Sequence, residues 1–318
     1  MNPLLNVRDL AVEYHSMRGR VRAVANVSLS IEKGSTLGLV GESGCGKSTL
    51  GFSVLRMVPP PGKIVGGEID FDGINIVQQT EAEMRRIRGS QISMIFQDPM
   101  TSLNPVKKIR DHFIELYRTH DQSVTKDEAI AKSVKLLDSL GIGGDRINDY
   151  PHQFSGGMRQ RVMIGLALAL NPKLIIADEP TTALDVIVEA QILELLKQLK
   201  SEHQLTMILI THNIGIVAEM ADTIGVMYAG QIVELGPTED IFEDPLHPYT
   251  KGLLESAPNI IHPEKSMRPV PGSPPDLLSP PTGCKFHPRC SRVFEPCPYK
   301  EPQLLERKRR LVACHLYD

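Results

Sequence analysis

The segment Gly41–Ser48 fits the phosphate-loop pattern G-x-x-x-x-G-K-[ST]. Its glycines let the backbone curl so that successive N–H groups point at phosphate oxygens. The helix that we expect to follow adds the partial positive charge of its N-terminus. Lys47 is expected to reach the β- and γ-phosphates and the Ser48 hydroxyl to ligate Mg²⁺, whereas Cys45 is interpreted as a small spacer. The segment therefore predicts a nucleotide site.

Two adjacent carboxylates, Asp178 and Glu179, end the apolar run that begins at Leu174. A buried strand exposes its last residues at the carboxyl edge of an α/β sheet, where such folds bind ligands. Asp178 is expected to hold Mg²⁺ through water, and Glu179 to orient or deprotonate an attacking water. Gln97 and His212 each follow another apolar run and are expected at the same edge, although a lone histidine is more often structural.

The segment Phe154-Ser-Gly-Gly-Met158 precedes a long apolar pattern. Ser155 is predicted to be an N-cap, and Gly156 and Gly157 leave backbone donors open. One chain needs only one phosphate loop for one nucleotide. A second anion-binding helix start therefore suggests that the nucleotide of another subunit docks here; a plain capped helix is the alternative.

Strand-like and helix-like patterns alternate over residues 1–255, which indicates an α/β domain. Short apolar runs predict buried strands at 36–40, 92–96, 174–177 and 206–210. Helical spacing predicts helices at 48–57 and 186–200, with weaker patterns near 106–118 and 126–140. The weaker patterns suggest a helical insertion at about 98–160.

Residues 256–318 are predicted to form a small C-terminal extension. Prolines are dense from Pro258 to Pro302, which disfavours helices and central strands there. Of the chain's 5 cysteines, all but Cys45 lie in this extension, at Cys284, Cys290, Cys297 and Cys314. Four cysteines clustered in this way indicate a metal site. Their spacing, C-x5-C-x6-C-x16-C, does not identify the metal, because it contains no C-x-x-C pair. Free buried cysteines are the alternative.

Composition narrows the classes of protein that fit. Hydrophobic residues make up 41% and charged residues 23%, as in soluble globular proteins. A membrane-spanning helix needs about 20 apolar residues, and no apolar run approaches that length. The first residues do not resemble a secretory signal. A net charge of −3 argues against binding to nucleic acid. The basic cluster Arg307–Arg310 is interpreted as a solvated helix end.

These motifs, in this order, closely resemble the nucleotide-binding subunits of ABC transporters. Gly41–Ser48 resembles the Walker A loop, Leu174–Glu179 Walker B, Ser155–Met158 the ABC signature, Ala183–Asp185 the D-loop and His212 the switch histidine. The resemblance implies an α/β fold: a P-loop (RecA-like) ABC ATPase core with an antiparallel β subdomain and a helical insertion.

The resemblance also implies the site residues. The catalytic residues would be Glu179, His212, Gln97 and Lys47. The residues that bind Mg²⁺ would be Ser48, Gln97 and Asp178. Tyr14 would stack on adenine. The other residues implied to contact ATP are Gly41, Glu42, Ser43, Gly44, Cys45, Gly46, Lys47, Ser48, Thr49, Ser155, Gly156, Gly157, Met158 and Asp185.

Two departures from the commonest patterns stand out: Phe154 and Met158 replace Leu and Gln in the signature, and Asn213 follows His212 where Asp is frequent. The run from Phe154 to Arg161, FSGGMRQR, is similar to that of the D-type ATPases of oligopeptide and dipeptide permeases. Leu246–Leu254, Val270–Leu277 and Gly283–Cys290 resemble the same subfamily. This resemblance implies a small irregular iron–sulfur domain with a 4Fe–4S cluster on Cys284, Cys290, Cys297 and Cys314.

The resemblance implies an ATPase that powers peptide import from the cytoplasmic face of the inner membrane. Its expected partners are a second, homologous but different ATPase chain, two transmembrane permease subunits and an extracytoplasmic solute-binding protein; no nucleic acid is expected. Import of nickel or oligosaccharides is an alternative. A soluble ABC ATPase acting on nucleic acid or ribosomes is disfavoured, since no heptad run separates Gly41 from Ser155 and the chain has one cassette.

Overall fold

A computed structural model describes residues 3–17, 19–98, 102–182, 184–256 and 269–318. The chain divides into two compact units, the first made of Met1–Gln78 and Ile208–Asp318, the second of Gln79–Met207. The second unit is therefore an insertion in the sequence of the first. The domain boundary at residue 255 and the limits of the helical insertion, about 98–160, stay predictions.

The described elements follow in chain order. The strands are β1 (Leu5–Ser16), β2 (Gly19–Ile31), β3 (Thr36–Val40), β4 (Gly62–Phe71), β5 (Ile74–Asn75), β6 (Ile92–Ile95), β7 (Leu174–Asp178), β8 (Thr206–Ile210), β9 (Thr223–Tyr228), β10 (Gln231–Pro237), β11 (Leu305–Arg307) and β12 (Arg310–Val312). The helices are α1 (Lys47–Val54), α2 (Glu81–Ile87), α3 (Ile109–His120), α4 (Lys126–Ser139), α5 (Gly156–Leu168), α6 (Val186–His203), α7 (Ile214–Met220), α8 (Thr238–Glu243) and α9 (Pro248–Glu255).

An antiparallel sheet of the order β2-β1-β4-β5 lies in the first unit. Leu5 pairs with Ile31 on one side and with Phe71 on the other, and all three side chains are buried. Side chains alternate between the two faces of a strand, so one face of this sheet is apolar. The antiparallel β subdomain that the resemblance implies is thus present.

A mixed sheet completes the first unit. Strand β3 pairs in parallel with β9, whereas β9 with β10, β10 with β12 and β12 with β11 pair antiparallel. Every residue of β3 is buried, as its uninterrupted apolar run predicts. The last two strands belong to the C-terminal extension, so the extension adds directly to the sheet that carries the phosphate loop.

The second unit combines a pair of parallel strands with a group of helices. Strands β6 and β7 pair in register from Ile92 with Leu174 to Ile95 with Ala177. Helices α3, α4 and α5 pack around a core that includes Phe113, Leu137 and Val162. Helix α4 begins with a capping box, in which Thr125 and Glu128 each bind the other's backbone N–H.

The predicted strands and helices are confirmed, with differences only at their ends. The predicted helix end at the basic cluster is wrong. Residues 307–310 form the turn of a β-hairpin between β11 and β12, and Arg310 is only 3% exposed. Its guanidinium lies 3.7 Å from the buried carboxylate of Glu234 and donates to the backbone oxygens of Asp240 and Asp244. Arg307, Lys308 and Arg309 are exposed, as the prediction of solvation requires. Only for Arg310 does burial with a charged partner and two carbonyls replace the expected solvation.

Within the described ranges, no helix has both the length and the apolar composition that crossing a membrane requires.

Candidate nucleotide site

The phosphate loop joins β3 to α1 in a shape that only glycine permits at two positions. Gly41 and Gly46 have φ values of 150° and 107°, in the left-handed region that side chains rarely adopt. A Cβ at Gly46 would overlap the carbonyl oxygen of Ala23, and one at Gly41 would overlap that of Met227. The backbone therefore curls as the sequence pattern predicts.

Lys47 lies inside this curl and is only 6% exposed. Its Nζ donates to the carbonyl oxygens of Gly41 at 2.7 Å and Glu42 at 3.1 Å. Ser48 and Thr49 follow on the first turn of α1, and Ser43 and Gly44 lie exposed in the loop. The ammonium group is thus held inside the loop at the N-terminus of α1, the kind of helix end where anions bind.

Cys45 is buried in the loop and burial raises the pKa of its thiol, which keeps it protonated and inert near neutral pH. The spacer interpretation agrees with this environment. Tyr14 lies on β1, and its hydroxyl oxygen is 3.5 Å from Oγ1 of Thr49 at the start of α1. Adenine stacking on Tyr14 stays a prediction.

In the second unit, the carboxylate of Glu179 is held by two donors. Gln97 Nε2 donates to its Oε2 at 2.8 Å and Thr182 Oγ1 donates to the same oxygen at 3.0 Å. Glu179 has a φ of 46°, a strained backbone conformation for a non-glycine residue that is common at functional sites. The preceding Asp178 is buried at the end of β7. The structure thus brings together Glu179 and Gln97, which are distant in sequence.

Thr182 is a contact that the sequence analysis missed. The signal was its hydroxyl three residues after Glu179, a spacing at which a turn returns the side chain to the carboxylate. His212 lies exposed in the first unit, two residues after the last residue of β8. The following Asn213 caps α7, since its Oδ1 accepts from the N–H of Gly215 at 3.0 Å. Asparagine caps helices about as well as aspartate, so the helix start is kept in spite of this departure.

The signature segment starts α5 as predicted. The Ser155 hydroxyl accepts from the N–H of Met158 at 3.3 Å, and Ser155 and Gly156 are exposed. The two unusual residues share one partner: the Arg146 guanidinium lies 4.4 Å from the Phe154 ring centre, and its Nη1 contacts Met158 Sδ at 3.3 Å. Cation–π and sulfur contacts therefore account for Phe154 and Met158 here.

Asp185 caps helix α6 by accepting from the N–H groups of Ile187 and Val188 at 3.1 and 3.0 Å. Its predicted neighbour in the D-loop, Ala183, lies outside the described residues, as do residues 99–101 after Gln97. The carboxylate of Asp185 has a structural role whatever its role toward a nucleotide.

The structure does not support the predicted iron–sulfur domain. Cys284, Cys290, Cys297 and Cys314 form no disulfide, and Cys284 and Cys290 pack against the apolar core around Tyr249 and Phe286. Burial, aided by the neighbouring thiols, raises the pKa of Cys314 to about 11. In the described part of the chain, no three His, Cys, Asp or Glu side chains are grouped so as to hold a metal ion. The thiols are packed as small apolar groups rather than as a preformed ligand set.

Comparisons with known proteins bear on both units. Residues 24–182 match the family model described as ABC transporter, and residues 233–297 match that of the C-terminal region of oligopeptide/dipeptide transporters. The oligopeptide transport ATP-binding protein OppD of Bacillus subtilis (strain 168) is 48% identical, over 95% of this chain and 86% of its own. The dipeptide transport ATP-binding protein DppD of the same organism is 45% identical, over 100% and 96%.

Among solved structures, the dimeric structure of MJ0796, a bacterial ABC transporter cassette, is similar with a TM-score of 0.65 and 28% identity, covering 74% of this chain and 98% of that one. A post-hydrolysis dimer of the same cassette bound to ADP and Pi has a TM-score of 0.64 at 28% identity, with coverage of 74% and 98%.

Proposed function

We propose that this chain, which belongs to the ABC transporter family and to its oligopeptide/dipeptide ATP-binding branch, hydrolyses ATP to power the import of peptides. The observation that carries the hydrolytic part is Glu179, whose carboxylate is held by Gln97 and Thr182 in a chain that also has an intact phosphate loop. The peptide part is supported by the names of relatives similar over nearly the whole chain.

The phosphate loop binds the triphosphate. Lys47, buried inside the curl, supplies the positive charge, and Tyr14 near the start of α1 stacks on adenine. Ser48, Asp178 and Gln97 would hold Mg²⁺, which neutralises charge on the β- and γ-phosphates when bound. The hydroxyl, carboxylate and amide oxygens of these residues are the hard ligands that Mg²⁺ prefers.

Glu179 orients or deprotonates the attacking water. Both donors bind the same carboxylate oxygen, Oε2, which fixes the orientation of the carboxylate before reaction. His212 assists at the terminal phosphate. Charge-neutral donors such as Gln97 and Thr182 keep Glu179 in place without neutralising its negative charge.

The exposed start of α5 binds the nucleotide of a partner ATPase. Ser155 uses its hydroxyl to cap the helix, and the exposed Gly156 leaves room for a phosphate to approach the N-terminal N–H groups. A dimeric cassette among the similar structures supports this pairing. We propose that the partner is a homologous but different chain.

The assembly proposed for this chain has two transmembrane permease subunits and an extracytoplasmic peptide-binding protein. The ATPase pair lies peripherally on the cytoplasmic face of the membrane, where ATP is supplied, and it does not act on nucleic acid. Reconstitution with the co-purifying membrane proteins tests this assembly. Stimulation of the ATPase by peptides supports it, whereas stimulation by nickel or an oligosaccharide alone would replace the proposed cargo.

The catalytic role is tested by Glu179→Gln, which keeps the size of the side chain and its contacts but removes the base. We expect turnover to fall by at least about 100-fold, the scale of general-base catalysis, with ATP binding retained. The matched control is Glu194→Gln on the exposed side of α6, which should hydrolyse ATP like the unaltered chain. Turnover of Glu179→Gln close to that of the control would refute the assignment.

An iron–sulfur cluster on Cys284, Cys290, Cys297 and Cys314 is a separate proposal. It rests on the sequence resemblance alone. It requires the thiols to rearrange on binding, because no three His, Cys, Asp or Glu side chains in the described ranges are grouped to hold a metal ion. Iron content and visible absorbance of the purified chain test it. A colourless chain without iron, or one that holds zinc, would exclude the cluster.

A further inference from the structure

The C-terminal extension contacts the phosphate loop directly, through an ion pair with two hydrogen bonds. Arg289, which immediately precedes Cys290, donates from Nη1 to Oε2 of Glu42 at 2.7 Å and from Nη2 to Oε1 at 2.9 Å. Two parallel charge-assisted bonds fix both the distance and the plane of the carboxylate. The Arg289 side chain is 5% exposed and that of Glu42 26% exposed, so water competes little for the pair.

Glu42 is also held through its backbone. Its N–H donates to the hydroxyl oxygen of the buried Tyr249 at 2.9 Å, and its carbonyl oxygen accepts from Lys47 Nζ at 3.1 Å. The N–H, the carbonyl and the carboxylate of this one loop residue therefore each have a partner. Two of those three partners, Arg289 and Tyr249, come from the C-terminal part of the chain.

Arg289 is itself held by its surroundings. Its Nε donates to the carbonyl oxygen of Pro271 at 2.7 Å, and its Nη1 also donates to the hydroxyl of Tyr228 at 3.2 Å. The Tyr228, Tyr249 and Phe286 rings pack with centroid distances of 4.6 to 5.3 Å. The guanidinium is thus also held by contacts other than the one with Glu42, so it acts as a support rather than as a flexible surface contact.

We propose that Arg289 is a positioning residue for ATP binding that acts through Glu42. It holds the first residues of the phosphate loop in their curled shape and neutralises a carboxylate that would otherwise repel the phosphates. Folding of the cysteine-bearing extension thereby sets the affinity of the loop for ATP. The inference rests on the proposed role of Gly41–Ser48 as the ATP site.

The test measures the Kd for ATP of the full-length chain carrying Arg289→Ala, Glu42→Gln or both changes. We expect Arg289→Ala to weaken ATP binding about tenfold, equivalent to about 1.4 kcal/mol. In the Glu42→Gln background the same change should have an effect of less than about twofold, because no carboxylate is left to hold or neutralise. Arg292→Ala, an exposed arginine of the same extension, is the control and should bind ATP normally.

Arg289→Lys serves if Arg289→Ala does not fold, as judged by thermal unfolding. It keeps the charge but loses the two-pronged contact, so it should weaken binding by less than the alanine change and again only while Glu42 is present. The proposal is overturned if folded Arg289 variants bind ATP like the unaltered chain, or if their loss is the same with Glu42→Gln. Failure of the unaltered chain to bind ATP would instead overturn the proposed function.

Discussion

Two helix starts in this molecule suit anions, and they are built differently. The phosphate loop before α1 is enclosed: Lys47 is 6% exposed, and Glu42 is bonded to Tyr249 and Arg289. The signature before α5 is open, with Ser155 and Gly156 exposed and one capping bond from Met158. Contacts within the chain therefore hold the phosphate loop in a shape that suits a ligand. The signature instead leaves the N–H groups at the start of α5 on the surface, where another molecule can reach them.

Matched glycine substitutions test this comparison and should have the largest effect. At Gly46 an added Cβ would overlap the Ala23 carbonyl and meet a φ of 107°, so Gly46→Ala should lower ATP affinity by more than about 100-fold. At Gly156 the nearest atom would be Leu184 Cδ2 at 3.4 Å, an ordinary contact, so Gly156→Ala should leave the ATP affinity of the isolated chain intact. Equal losses in the two variants would contradict the difference between an enclosed and an open start.

Ser155→Ala separates binding by the chain from turnover by the assembly. Loss of the cap should cost about 1 kcal/mol of stability and leave the Kd for ATP of the isolated chain within about twofold. ATPase activity of the assembled complex should fall about tenfold or more, because the partner's phosphate loses a hydroxyl. Thr125→Ala, which removes the N-cap of α4, is the control for a loss of stability alone. A loss of ATP affinity by the isolated Ser155→Ala chain would contradict the assignment.

The region behind the phosphate loop should also lose stability in acid. Burial lowers the pKa of His247, which precedes the Tyr249 segment behind the phosphate loop, from 6.5 to about 3. Below pH 6.5 the unfolded chain takes up a proton that the folded chain excludes, so stability is present above that pH and decreases toward pH 3. At pH 5 the decrease due to this residue should be about 2 kcal/mol.

His247→Asn tests the acid response, because asparagine does not titrate yet can accept the N–H of Tyr249 as His247 Nδ1 does. The free energy of unfolding, measured with urea at pH 7 and pH 5, should fall less in the variant than in the unaltered chain. An identical fall in both would show that protonation of His247 does not contribute.

The smallest effect is expected from Arg146, the support of the open helix start. Arg146→Ala removes the contacts with the Phe154 ring and Met158 Sδ. The cost should be only about 1 kcal/mol, because the Arg146 side chain is 31% exposed. Arg118→Ala, on the exposed side of α3, is the control. Unchanged stability and unchanged turnover together would mean that Phe154 and Met158 are not held by Arg146.

Local patterns allowed much of the fold to be predicted. The runs at 36–40 and 206–210 became β3 and β8 because a fully apolar run between turns is stable only as a buried strand. Strands β11 and β12 were missed, since their short charged sequences acquire strand structure only by pairing with each other and with β10. The cysteine spacing indicated a metal, but it carries no information on how the thiols pack.

What the sequence by itself determined is the set of groups that chemistry requires: a glycine loop with Lys47, a carboxylate at Glu179 and a helix cap at Ser155. Each is a short-range pattern whose local geometry follows from backbone sterics and hydrogen bonding. The sequence also placed Gln97 at the same sheet edge as Glu179, where the structure shows their hydrogen bond. Only the tertiary structure decided the other distant supports, namely Arg146 on the signature and Arg289 on Glu42. The reason is that partners far apart in sequence meet only when packing of the core brings their strands and turns together.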